Sequence, residues 1–284
     1  MQRLSAQPNG TGAGAAKRSF LASNPVMRRL NKVDEYDAVN YATYGGIAAK
    51  VAFFLLFTVA GIVLELVLAN RLTTGTLFSF DIKGFEVSLY MGEAIALFAS
   101  VILAIVFQLL AFFVKASTPV TGSLYCVTQG YFIAFLLFKV LKGYEYLGLL
   151  ALAITMTIIL VMALLYVKGI IRVTKKFKMV MVTLFATSIV VSLLMLLGSF
   201  IPFTRPLVAM LTQNLGLSIG FSVLFIIIAA LFLICDFDTI DRVVKNRLPK
   251  KYEWMAAFGL AFTVVWLYLK VLDLLLTILG GNKK

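Results

Sequence analysis

The chain has no histidine, only two cysteines and few charged side chains, and each shortage excludes a class of protein. Without histidine, Ser–His–Asp triads and HExxH zinc sites are impossible. Cys126 and Cys235 both lie in apolar segments, which predicts small buried side chains and no disulfide framework. Charged residues make up 14% of the chain, against about a quarter in soluble domains. We therefore expect an integral membrane protein that is not an enzyme.

Long apolar segments fill the rest of the sequence, which is 61% hydrophobic with a mean hydropathy of +0.98. A spanning helix needs about 20 mostly apolar residues, and the apolar residues here run continuously, unlike the alternating pattern of a barrel strand. The sequence predicts an all-α membrane protein with seven spans, at 44–68, 89–114, 123–141, 147–167, 179–201, 217–235 and 254–279. Residues 1–38 are predicted to form a disordered, basic tail, and 39–284 the transmembrane domain.

The distribution of basic residues predicts the orientation. The formal net charge is +13. The N-terminal tail and the loops on its side of the membrane carry more than twice as many lysine and arginine residues as the loops and C-terminus on the other side. This bias places the N-terminus in the cytoplasm and the C-terminus outside the cell membrane. The basic excess is explained by this orientation signal and by attraction to anionic lipid, so it needs no nucleic-acid partner.

Ionisable residues inside a span are costly, and each is a candidate for function. Lys50, Glu65 and Glu93 lie near span ends, where a long side chain can reach the membrane surface; we favour that interpretation for Glu65. Lys270 and Asp273 lie deep in span seven, three residues apart on one face. An internal salt bridge and a functional site are equally good interpretations of that pair.

Three carboxylates follow the apolar run of span six, in the stretch LFLICDFDTIDR. Asp241 is followed by Arg242 and a basic loop, which favours a solvated helix end. Asp236 and Asp238 are deeper and fall on different helix faces. The functional interpretation is favoured for Asp238 and remains open for Asp236.

Several segments resemble the Bax inhibitor family, most closely its bacterial members. They are SNPVMRRL before the first span, DFDTIDRVV in span six, then YEWMAAFGL and WLYLKVLDLLL in span seven. The resemblance implies six helices wrapped around a central seventh. It also implies a pH-sensitive calcium leak, a role in stress protection and contacts with a membrane-anchored protease.

The family's acidic pair maps only partly onto this chain. FDTI places the span-six acid at Asp238, whereas LYLK places Lys270 where the family has its second acid. Asp273 lies one turn further along, and Gln129 stands where many relatives have an acid. The resemblance thus implies an ion-binding or gating site of Asp236, Asp238, Lys270 and Asp273, with Asp238 and Asp273 as candidate Ca²⁺ ligands and no cofactor.

A contact between Asp238 and Lys270 would be a salt bridge that latches the gate and repels Ca²⁺. A plain hairpin of spans six and seven would instead put Asp236 and Asp238 near Lys50. It would put Lys270 and Asp273 nearer Glu93.

Two other functions remain open from the sequence. One is a non-conducting regulator that binds a membrane protease or another partner through its tail and basic loops. The other is a proton-coupled transporter of a small solute, with Asp238, Lys270 and Asp273 as a relay.

Overall fold

The computed structural model of the chain describes residues 40–69, 71–171, 173–200, 203, 206 and 214–281. The predicted tail at 1–38 lies outside these residues. Seven long helices make up most of the described chain. They are α1 (Tyr44–Ala69), α2 (Met91–Phe113), α3 (Thr118–Phe135), α4 (Tyr146–Val167), α5 (Lys175–Phe200), α6 (Leu215–Lys245) and α7 (Tyr252–Gly281). The all-helical class is confirmed.

Six of these seven helices are long and apolar enough to cross a membrane: α1, α2, α3 with its extension to Val140, α4, α6 and α7. Helix α5 covers the fifth predicted span, whose crossing remains a prediction. Helix α6 continues ten residues past the predicted end at Cys235. The carboxylates of its final turns, Asp238 and Asp241, pair with Arg242 and Lys245 at i, i+4, which offsets the cost of ending an apolar helix in charged residues.

A short β-hairpin between α1 and α2 was not predicted. Strands β1 (Leu77–Ile82) and β2 (Phe85–Tyr90) pair antiparallel around Lys83 and Gly84. Both turn residues have positive φ, 53° and 83°, as a type I′ turn requires. Alternate residues of β2 are buried against the bundle. We call this side of the bundle the hairpin end.

Helix α7 packs against α1, α3, α4 and α6, and most of its residues from Met255 to Leu267 are buried. At its start, the segment before α1 lies along the α6–α7 turn. Ala42 donates its N–H to the Leu248 carbonyl at 2.7 Å, and Tyr41 forms an isolated β-bridge with Pro249. We call this side of the bundle the tail end.

Candidate functional site

Asp238 lies near the tail end of α6 and is held by two cations. Its Oδ2 is 2.7 Å from Lys178 Nζ on α5 and 2.9 Å from Arg242 Nε one turn along α6. The Lys178 side chain is 6% exposed, so this ion pair is largely shielded from solvent. We call these three residues the Asp238 latch, because they tie α5 to α6.

Asp236 is fully buried on another face of the same helix. Its exposure is 0%, and neither carboxylate oxygen has a hydrogen-bond partner within the described residues. The Thr263 hydroxyl of α7 lies beside it but donates to the Gly259 carbonyl at 3.2 Å. Buried carboxyl groups are normally paired because their desolvation is costly. An unpaired one inside an apolar bundle is therefore a strong candidate for function.

Replacing Asp236 by valine should raise the free energy of unfolding by about 1–3 kcal/mol, the usual cost of an unsatisfied buried polar group. Thermal unfolding of the purified protein in detergent measures this. The matched control is Asp238→Val on the same helix, which should lower stability because it leaves Lys178 buried without its acid. A loss of stability in Asp236→Val would mean that its carboxyl has a structural partner.

Two further ionic contacts lie at the tail end. Asp241 accepts a hydrogen bond from the Tyr44 hydroxyl of α1 and pairs with Lys245 at 2.6 Å, on the more exposed side of α6. Glu253, at the start of α7, is completely buried and forms an ion pair with Lys50 of α1. It also accepts the Thr43 backbone N–H at 2.9 Å.

The sequence interpretation missed Glu253. Its only sequence signal is its place in the first turn of α7, where an acid is favourable near the helix N-terminus. From the sequence, Lys50 could either reach the membrane surface or lie near Asp236 and Asp238. Instead it turns inward to Glu253, with its ammonium 5.1 Å from the centre of the Trp254 ring.

The contact between Asp238 and Lys270 that the family pairing would give is not formed. Lys270 lies about 27 Å along α7 from its start, whereas Asp238 is about 10 Å from the end of α6, at 1.5 Å per residue. Because the two helices form an antiparallel pair, these side chains lie at different depths. The Lys270 ammonium is 4.8 Å from the centre of the Phe225 ring.

Asp273 does not lie beside Asp238 either, so the structure does not bring the two candidate Ca²⁺ ligands together. Asp273 lies at the hairpin end, where it forms an ion pair with Lys83 and accepts a hydrogen bond from Ser222 at 3.3 Å. Lys83 also takes the place of Lys270 as the cation paired with Asp273. Among the described residues, no three acidic, cysteine or histidine side chains cluster as a metal site would require.

The remaining candidates lie between α1, α2 and α3. Glu93 forms an ion pair with Lys139 at 2.5 Å rather than with the α7 residues. Glu65 is 4% exposed, so the expectation that it reaches the surface is wrong: α3 covers it. Gln129 lines a cavity of about 180 Å³ between α2 and α3, together with Ser100, Gln108 and Thr128.

Comparison with known proteins gives one family. A model of the family described as Bax inhibitor 1 like matches residues 24–280. This range contains six of the seven helices and all of α7 except its last residue. No curated protein and no solved structure matches the chain.

Proposed function

The chain belongs to the Bax inhibitor 1 like family, and we propose that it is a pH-responsive cation-leak protein closed by the Asp238 latch. Ca²⁺ and protons are the proposed permeant and regulatory ions. The proposed arrangement is that of the resemblance, with six helices around α7. The proposed location is the cell membrane, with the N-terminus in the cytoplasm and the C-terminus outside.

The observation that carries the proposal is the latch itself. Asp238 is the residue that matches the span-six acid of the family, and it joins α6 to α5 through Lys178. Lys270 stands at the position of the family's second acid but does not contact Asp238. Lys178 and Arg242 instead supply the positive charges that hold Asp238. While Lys178 and Arg242 both lie against Oδ2 of Asp238, their two positive charges disfavour Ca²⁺ at this carboxylate.

The direction of the pH response follows from the charges. The latch needs Asp238 as a carboxylate, because protonation removes the charge that attracts Lys178 and Arg242. We propose that acid weakens this attraction, so that α5 separates from α6 and the leak increases as the pH falls.

Asp238→Asn should increase Ca²⁺ flux at neutral pH and remove its dependence on acid. Asparagine keeps the shape of aspartate without the charge. Breaking a largely shielded ion pair costs more than the roughly 1 kcal/mol of an exposed pair, so its loss should raise flux by about tenfold or more. The measurement is Ca²⁺ entry into liposomes that contain the purified protein and a calcium-sensitive dye, over a series of pH values.

Lys245→Met is the matched control, because it removes a neighbouring ion pair whose lysine side chain is 70% exposed. Its flux should equal that of the unchanged protein. Lys178→Met should reproduce the effect of Asp238→Asn from the opposite side of the latch. No flux in the unchanged protein, Asp238→Asn or Lys178→Met at any pH would overturn the proposal.

A regulator that binds a partner at the tail end is the second candidate. The observation that favours it is the exposed basic turn between α6 and α7, with Lys245, Arg247 and Lys250. A membrane-anchored protease is the partner class that the resemblance implies. Crosslinking in membranes should then capture a partner that is lost on deleting residues 1–38, with no ion flux in liposomes.

A further inference from the structure

Four side chains from three helices meet at the hairpin end of the bundle, away from the Asp238 latch. They are Glu65 of α1, Glu93 at the start of α2, Tyr131 of α3, and Lys139 in the π-helical turn that extends α3. We call them the Glu65 cluster. π-Helical turns occur often at functional sites.

Glu93 has all the partners that it needs. One carboxylate oxygen is 2.5 Å from Lys139 Nζ, and the other accepts the Tyr90 backbone N–H at 3.0 Å. The second bond caps the start of α2. Lys139 is thus committed to Glu93, which is 5% exposed.

Glu65 has no such partner. It is 4% exposed, and its Oε2 is buried with no hydrogen bond to any described residue. Glu65 lies one turn beyond Gly61 of α1, where an added Cβ would be 3.0 Å from the Cα of Gly130, the residue before Tyr131. It is also close enough to Lys139 and Glu93 for their charges to act on its carboxyl group. The unpartnered oxygen therefore belongs to the cluster and not to a separate site.

The charges in the cluster do not balance. Two carboxylates share one ammonium, which leaves one negative charge among apolar helices. An uncompensated charge in such a place is strongly unfavourable. The tyrosine hydroxyl can donate a hydrogen bond but supplies no positive charge.

We propose that the Glu65 cluster binds one exchangeable positive charge at the Glu65 carboxylate, either a proton or an alkali-metal cation. One such charge makes the cluster neutral. A divalent ion is disfavoured, because it would lie beside the Lys139 ammonium and find few of the oxygen ligands that it needs. The bound charge joins α1 to α2 and α3, so its binding stabilises the bundle.

The test uses the purified full-length protein in detergent and follows its thermal unfolding. One series replaces choline chloride by sodium or potassium chloride at constant ionic strength and pH. The other changes the pH in choline chloride alone. We expect the unfolding midpoint to rise with alkali cation if the site takes a metal ion, or to shift with pH if it takes a proton.

Glu65→Gln removes the charge and keeps the shape, so it should abolish the dependence on alkali cation, or the part of the pH dependence that the cluster contributes. Glu65→Asp keeps the charge and should retain it. Glu86→Gln is the matched control, since Glu86 is an exposed carboxylate at the same end of the bundle, and should also retain it. Infrared spectroscopy distinguishes the two sources, because a bound proton gives a neutral-carboxyl band that Glu65→Gln lacks.

An unchanged salt and pH response in Glu65→Gln would overturn the proposal, as would the absence of any response in the unchanged protein. If Glu65→Gln does not fold, the double variant Lys139→Met/Glu93→Gln provides a second test. It keeps the Glu65 carboxylate, so the response should persist, and its loss would overturn the proposal. The part of each response that Glu65→Gln removes should persist in Asp238→Asn. Failure of this inference is therefore distinguishable from failure of the proposed leak.

Discussion

Lys50→Met should lower the free energy of unfolding by about 3–5 kcal/mol, the usual cost of removing one partner of a buried ion pair. The Glu253 side chain that pairs with Lys50 is 0% exposed. Methionine keeps most of the apolar stem of lysine but removes the ammonium. The Glu253 carboxylate would then lie buried without a counter-charge. Denaturant or thermal unfolding in detergent micelles measures the loss.

The double variant Lys50→Met/Glu253→Gln should recover most of that stability. It leaves no buried charge, and glutamine still accepts the hydrogen bond from Thr43. Lys245→Met serves as the exposed control and should cost less than about 1 kcal/mol. If Lys50→Met costs no more than this control, the pair with Glu253 contributes little to stability.

Helix positions were predictable because membrane spans depend on a local property of the chain. A run of about 20 apolar residues must become a helix in lipid whatever its neighbours are. The starts of the helices at Tyr44, Tyr146 and Tyr252 accordingly fall within two residues of prediction. The predicted end of α6 was ten residues too early. The helix continues beyond the apolar run because its charged residues pair with one another at i, i+4.

The sequence carries a signal for the hairpin between α1 and α2 that apolar length alone does not reveal. Lys83 and Gly84 separate two stretches in which apolar residues alternate with polar ones, and in β2 the apolar Phe85, Val87 and Leu89 are buried. Such a two-residue turn between alternating strands predicts a hairpin.

Charge partners could not be predicted, because they come from helices far apart in the sequence. Glu253 lies 203 residues from Lys50, and the Asp238 latch joins α5 to α6. Depth along one helix says how far a charge lies from the membrane surface, but not which neighbour covers it. Glu65 shows the consequence: it is near the end of its helix and is nevertheless buried.

Gly130→Val should destabilise the bundle by about 3 kcal/mol, at the upper end of the usual cost of overpacking. A Cβ on Gly130 of α3 would lie 1.9 Å from the Thr58 carbonyl oxygen of α1 and 3.0 Å from the Cα of Gly61. Close approach of backbones at small residues is how membrane helices pack. Backbone atoms cannot rotate away as a side chain can, so α1 and α3 would have to separate. Thermal unfolding in detergent measures the loss.

Gly220→Ala is the matched control, since a Cβ there meets nothing within 4 Å. It should be neutral or slightly stabilising, because alanine favours helix by up to about 1 kcal/mol over glycine. Equal stability of the two variants would show that α1 and α3 tolerate a wider spacing. Glu65 lies one turn beyond Gly61 on α1, and Tyr131 follows Gly130 on α3. Separation of these helices should therefore also remove the salt or pH response of the Glu65 cluster, which links the packing of two glycines to the charge balance at the hairpin end.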